Sequence, residues 1–123
     1  MSLAGPWKEG DSVDFDVDDE ISHVVGSSKQ KPSPQSSWVK YWLAHSGRQW
    51  PNTCQIKGCS NQATLGAHIY IKRQGLQENF ILPACIPCNN SAEEHYDGAN
   101  TVYCKPNAGS RAVWVDRHLN TYG

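Results

Sequence analysis

The sequence predicts a small α+β domain, because an amphipathic helix precedes two short cysteine loops that flank an apolar hairpin. The chain has 123 residues, the length of one domain. Its hydrophobic fraction is 38% and its mean hydropathy is -0.61, which leaves little apolar material for a core. Small domains bury proportionally less surface, so we expect the cysteine loops to supply part of the stability.

The helix is predicted to begin at Trp38, since Ser37 can cap it. Trp38 and Trp42 lie four residues apart, the spacing of neighbours on one helical face. Together with Trp50, these side chains are expected to pack the helix over the cysteine loops and to form most of the core.

Four segments after the helix have strand or helix patterns. Residues 65–71 and 79–83 are apolar runs that predict two strands, joined by a turn at Gly75. Residues 89–96 predict a short helix that follows the second cysteine pair. Further strands are predicted at residues 101–104 and 112–115.

Four of the five cysteines form two close pairs. Four residues separate Cys54 from Cys59 and two separate Cys85 from Cys88, whereas Cys104 stands alone. Short loops of this kind place two sulfurs on one ion, and zinc favours four thiolates in a tetrahedron. The sequence therefore predicts one structural Zn²⁺ held by these four cysteines. The alternative, reduced cysteines in a small fold, leaves the paired spacing unexplained.

The N-terminal third differs from the rest in composition. Residues 1–37 contain three lysines and seven acidic residues, a net charge of -4, whereas the remainder contains eight basic and five acidic residues, or +3. Residues 27–37 are rich in Ser, Pro, Lys and Gln, which is typical of a linker. We therefore expect residues 1–36 to be a flexible acidic, Ser/Pro-rich arm and residues 37–123 to be the folded domain. A short edge strand near Asp14 is the alternative to a disordered segment there.

The expected location is intracellular, in cytoplasm or nucleus. The N-terminus lacks the pattern of a secretory signal peptide. A membrane span needs about 20 consecutive apolar residues, and no stretch of the sequence comes close to that length, so no membrane partner is expected.

The order of cysteine loop, hairpin, cysteine loop and helix resembles a treble-clef zinc finger of the ββα type. Within residues 54–96 the sequence also resembles the HNH endonucleases, also called His-Me finger nucleases. The resemblance is carried by Gly66-Ala67-His68-Ile69 on the first strand, by Asn79 before Phe80-Ile81-Leu82-Pro83, and by Cys85-Ile86-Pro87-Cys88-Asn89.

The resemblance implies metal-dependent hydrolysis of a phosphodiester. His68 would be the general base that activates water, and Asn79 would orient the His68 loop. Asn89 would help to hold Mg²⁺ or Mn²⁺ on the scissile phosphate, with Glu93 as a second ligand of that ion.

The hairpin-tip cations favour a nucleic-acid partner, whereas two positions of the family's metal site differ from those of active nucleases. Lys72 and Arg73 at the hairpin tip would contact nucleic-acid phosphates, although the chain's net charge of -1 does not require such a partner. Ala67 stands where active family members carry a metal-binding residue, and Asn89 is neutral where Mg²⁺ favours carboxylate. The sequence therefore predicts an HNH-like nucleic-acid-binding domain, with or without hydrolysis, or a non-catalytic zinc-stabilised domain that binds a protein or another ligand.

Overall fold

A computed structural model describes residues 6–23, 38–74, 78–88 and 103–115, which are dominated by one five-stranded antiparallel sheet. Its strands are β1 (Ser12–Asp14), β2 (Ile21–His23), β3 (Leu65–Ile71), β4 (Asn79–Ala84) and β5 (Arg111–Val115). Their order across the sheet is β1-β5-β4-β3-β2. One α-helix, α1 (Trp38–Ser46), and a short 3₁₀ helix (Lys72–Gln74) accompany them, and residues 86–88 are also helical.

The predicted α+β class is confirmed by this mixture of one sheet and few helices. The treble-clef arrangement stays a prediction, since its helix at residues 89–96 falls outside the described ranges. Within those ranges, no helix has the length and apolar character that crossing a membrane requires.

The predicted hairpin is confirmed and forms the centre of the sheet. β3 and β4 pair from Leu65 opposite Ala84 to Ile69 opposite Phe80. The helix α1 packs closely on this hairpin at Gly66, where a Cβ atom would lie 2.8 Å from both Trp38 Cβ and Ile81 Cγ2. Glycine is therefore needed at this position so that the helix can approach the strand.

Alternating side chains divide the core into two layers, one on each face of the sheet. One layer includes Cys54 and Cys85, together with Ala67, Ile69, Ile71, Phe80, Leu82, Ala84, Ala112 and Trp114. In the other layer the α1 side chains Trp38, Tyr41 and Trp42 pack against Ile81, Val113 and Val115. Trp38 and Trp42 are thus core residues as predicted, but they lie in the smaller layer, on the face opposite the cysteines. The expectations that they pack α1 over the cysteine loops and form most of the core are therefore wrong.

In the described part of the N-terminal segment, residues 6–23, the structure has the edge strand that the sequence left as the alternative to a flexible arm, and a second strand besides. β1 pairs with β5 and β2 pairs with β3, so both segments are strands at the edges of the sheet. Val13 and Phe15 are buried, whereas Asp14 and Asp16 are exposed. The acidic–apolar alternation is therefore that of a strand with one buried face. Residues 24–36 lie outside the described ranges.

The structure confirms one of the two strands that were predicted near the C-terminus. The strand predicted at residues 112–115 is confirmed as part of β5. Of the strand predicted at residues 101–104, the described residues contain only an isolated bridge between Cys104 and Ile21.

Candidate metal centre

The first cysteine pair lies in a tight loop that hydrogen bonds fasten to its neighbours. Cys59 N donates to Ile56 O at 3.1 Å, and Gly58 has a φ of 86°, which permits the sharp turn. Cys54 N donates to Asn61 O at 2.8 Å, and Gln55 N donates to Pro83 O at 3.0 Å. The loop is thereby held beside the end of β4, where the second pair begins.

The second pair lies at the junction between β4 and the helical residues 86–88. Cys85 directly follows β4, and its sulfur accepts a hydrogen bond from Cys88 N at 3.4 Å. The side-chain amide of Asn61 also donates to this sulfur, at 3.6 Å. Asn61 was not found by sequence reasoning, because nothing in the cysteine spacing indicates a donor at this position.

The four predicted zinc ligands converge. The sulfur atoms of Cys54, Cys59, Cys85 and Cys88 all lie within 4.8 Å of one another. A tetrahedron with Zn–S bonds of about 2.3 Å places its sulfurs about 3.8 Å apart, and the Cys59 and Cys85 sulfurs are 3.7 Å apart. The cluster can therefore hold a metal ion, and its all-thiolate donor set fits a structural zinc.

The electrostatics of the four clustered cysteines favour a bound cation. Burial raises the pKa of the Cys54 thiol, and burial together with neighbouring thiols raises that of Cys88. At Cys85 burial also opposes ionisation, but hydrogen bonds from Cys88 N–H and Asn61 outweigh it and lower the pKa to about 7. Four thiolates at these distances repel one another, so all of them can ionise together only when a positive ion compensates their charge.

The fifth cysteine does not belong to this group. Cys104 packs against the same core layer but is not among the four sulfurs that converge. Burial, with a smaller contribution from Cys54, raises the pKa of Cys104 to about 11, so it remains a protonated thiol near neutral pH.

His68, the predicted general base, lies in the core. Its side chain is 2% exposed, and its ring meets the Trp38 ring edge-on with centroids 4.3 Å apart. Burial lowers the pKa of His68 to about 4, so the imidazole is neutral near pH 7. Its neighbours Ala67 and Ile69 belong to the cysteine layer, so His68 points to the opposite face, beneath α1.

Asn79 lies on the same face of the sheet as His68. Asn79 and Ile81 are two residues apart on β4, and Ile81 is paired with His68 across the hairpin. Asn79 is buried, and among the described residues neither its Oδ1 atom nor the Nε2 atom of His68 has a hydrogen-bond partner. The predicted ligands Asn89 and Glu93 lie outside the described residues.

Lys72 and Arg73 are engaged by acidic side chains of the N-terminal segment. Lys72 Nζ lies 3.0 Å from Glu20 Oε2, and Arg73 Nε lies 2.8 Å from Asp19 Oδ1. Lys72 Nζ also lies 4.9 Å from the centre of the Tyr103 ring. A nucleic-acid phosphate would therefore have to compete with carboxylates for both cations.

No protein-family model, curated protein or solved structure matches this chain. The fold and the site themselves define a small α+β domain with a four-cysteine cluster that can hold a metal ion.

Proposed function

We propose that this chain is a zinc-stabilised binding domain in which the metal is structural and the domain does not hydrolyse its partner. The observation that carries the proposal is the convergence of four sulfurs from Cys54, Cys59, Cys85 and Cys88. Four protein ligands complete a tetrahedral coordination shell, so no position remains for water or substrate, which is typical of structural zinc. A bound ion would tie the loop at residues 54–59 to the end of β4.

The surroundings of the residues expected to perform hydrolysis support a non-catalytic role. A general base must come within hydrogen-bond reach of the proton that it removes, whereas His68 is buried beneath Trp38. The cations expected to meet phosphates, Lys72 and Arg73, are already paired with acidic side chains. These contacts favour an interaction domain, with a protein as its partner, over a nuclease.

A second candidate, the HNH-like hydrolase, has one specific observation in its favour. Buried polar atoms without partners are rare in folded proteins and often mark functional sites, and His68 Nε2 and Asn79 Oδ1 are two such atoms on one face of the sheet. In this alternative, Asn89 and Glu93 would hold Mg²⁺ or Mn²⁺, which would stabilise charge on the phosphate. His68 would take a proton from water after movement of Trp38.

Metal content and folding test the proposed function. Purified, reduced protein should contain one zinc ion per chain by elemental analysis, and Cys85→Ser should lower that content and the thermal unfolding midpoint. Cys104→Ser is the matched control, because Cys104 is partly buried against the same core layer but lies outside the cluster. Wild-type protein without zinc, or equal effects of the two substitutions, would reject a structural metal at this site.

A nuclease assay separates the two candidates. We expect no cleavage of single- or double-stranded DNA or RNA with Mg²⁺ or Mn²⁺. Cleavage that disappears in His68→Ala, while the zinc content of that variant stays unchanged, would establish the hydrolase instead.

A further inference from the structure

A cavity opens beside the first cysteine loop, on the side where α1 ends. Its volume is about 170 Å³. Its wall includes the apolar groups of Trp42, Pro51 and Ala108, and its polar lining residues are Arg48, Gln49, Gln55, Ser110 and Arg111. A closed cavity of about 150 Å³ holds one benzene molecule, so this partly open cavity has room for a single amino-acid side chain.

Two arginines that line this cavity, Arg48 and Arg111, both lie close to the carboxylate of Asp14. Arg111 forms a bidentate ion pair with Asp14, in which Nε lies 2.6 Å from Oδ1 and Nη2 lies 2.9 Å from Oδ2. The remaining nitrogen, Nη1, donates to Ser46 O at 2.7 Å, so all three Arg111 nitrogens are engaged. Arg111 therefore contributes positive charge to the cavity, while its hydrogen-bonding atoms are directed to Asp14 and Ser46.

Arg48 retains hydrogen-bonding capacity. Its Nη1 donates to Gly109 O at 2.8 Å, which fixes the guanidinium at the cavity. Its Nη2 lies 3.7 Å from Asp14 Oδ1, beyond hydrogen-bond distance, and has no other partner among the described residues. With two arginines and one aspartate, this group has a surplus of one positive charge.

The cavity continues into a basic surface on the cysteine loop. Asn107 N donates to Gln55 O and Lys57 N donates to Lys105 O, both at 2.8 Å, so the two backbone segments run side by side. Lys57 and Lys105 are exposed, and within the described residues neither has an ion-pair partner. Their positive charge extends the attraction for an anion beyond the cavity itself.

We propose that this cavity binds an acidic side chain, glutamate or aspartate, of a protein partner. The carboxylate would accept hydrogen bonds from Arg48 Nη2 and the side-chain amide of Gln49, while its methylene groups contact the apolar wall. The cavity volume favours one side chain, and the surplus positive charge of Arg48 and Arg111 over Asp14 favours an acidic one. This inference rests on the proposed function, a zinc-stabilised binding domain, and names the partner's chemistry.

Titration of isotope-labelled, zinc-loaded protein by NMR tests the inference directly. The probe is N-acetyl-glutamate N-methylamide, and the neutral control is the corresponding glutamine compound. We expect saturable shifts at the side-chain amides of Gln49 and Gln55 and at the Gly109 amide, with a dissociation constant on the order of millimolar. The glutamine compound should produce no saturable shift at these signals.

Substitutions of Arg48 test whether its guanidinium binds the glutamate carboxylate. Arg48→Gln should weaken glutamate binding at least about tenfold, and Arg48→Lys should weaken it less, since it keeps the charge but loses the planar fork. Lys72→Gln, which removes a cation that does not line the cavity, should leave binding unchanged. Zinc content is measured in every variant, so that a failure of the metal site is seen separately from a failure of this cavity.

Three results would overturn the inference. The first is equal shifts with the glutamate and glutamine compounds, and the second is glutamate binding that Arg48→Gln leaves intact. The third is tighter binding of a short oligothymidylate than of the glutamate compound at the same signals, which would make the cavity a phosphate site.

Discussion

The buried imidazole of His68 makes the stability of this domain sensitive to mild acid. Burial lowers the pKa of His68 to about 4 in the folded protein, against an ordinary histidine value of 6.5. The unfolded chain therefore takes up the proton first, and protonation favours unfolding. Above the unfolded-state pKa both states are neutral, so His68 adds no pH dependence there.

The size of the effect follows from the two pKa values. As pH falls below 6.5, the free energy of unfolding drops by about 1.4 kcal/mol per pH unit, until the folded state also binds the proton near pH 4. The total loss is about 3 kcal/mol, and about 2 kcal/mol of it is already lost at pH 5. For a domain whose total stability is roughly 5–15 kcal/mol, this is a large fraction.

Urea unfolding at a series of pH values measures this loss, and His68→Leu isolates the part due to the imidazole. Acid also protonates the cysteine ligands, but that contribution is common to wild type and variant, so the difference between their pH profiles reports His68. The variant should lack the pH-dependent loss of about 3 kcal/mol. Parallel profiles for the two proteins, or an NMR titration of His68 with a pKa near its ordinary value, would refute the reasoning.

Two further substitutions test the packing of α1 and the edge strand β1. Gly66→Ala should lower the free energy of unfolding by about 1–3 kcal/mol, since the new methyl group would lie 2.8 Å from both Trp38 Cβ and Ile81 Cγ2; an unchanged urea midpoint would contradict that close approach. Asp14→Asn should cost at most about 1 kcal/mol despite the paired contacts to Arg111, because the Asp14 side chain is 51% exposed and water screens the pair. A larger loss in the same urea assay would mean that this ion pair is more strongly coupled to the fold than its exposure indicates.

Local patterns in the sequence predicted the centre of the fold. The apolar runs at residues 65–71 and 79–83 gave a hairpin, and Trp38 with Trp42 gave the helix, because strand and helix periodicities are directly visible in such segments. The paired cysteines predicted their own convergence, since a short loop restricts how far apart its two sulfurs can lie.

Long-range relations escaped this reasoning for physical reasons. The edge strands β1 and β2 are three residues each, so the alternation near Asp14 was too short to decide between a strand and a disordered segment. Their pairing partners also lie far along the chain. The face on which each layer packs follows from the sheet register, which spacing alone does not fix. His68 is an example. Its position on β3 was predicted from the sequence, but its burial beneath α1 depends on the close packing of Trp38 on Gly66, which the sequence does not reveal.

Metal removal should loosen the cysteine loop before it loosens the rest of the sheet. The loop is tied to its neighbours by the backbone bonds from Gln55 N to Pro83 O and from Lys57 N to Lys105 O, each worth only about 1 kcal/mol net. A structural zinc contributes far more than that. The bond from Trp114 N to Asp11 O joins β5 to the β1 segment and does not involve the loop.

Hydrogen exchange after zinc chelation under reducing conditions distinguishes these regions. Protection of the Gln55 and Lys57 amides should fall at least about a hundredfold, because loss of the ion leaves four crowded thiols that no longer hold the loop. The Trp114 amide should lose less protection, since its strand is covered by apolar layers on both faces of the sheet. Equal losses at all three amides would show that the metal supports the domain as one cooperative unit, and unchanged protection at Gln55 would mean that no metal fastens the loop at all.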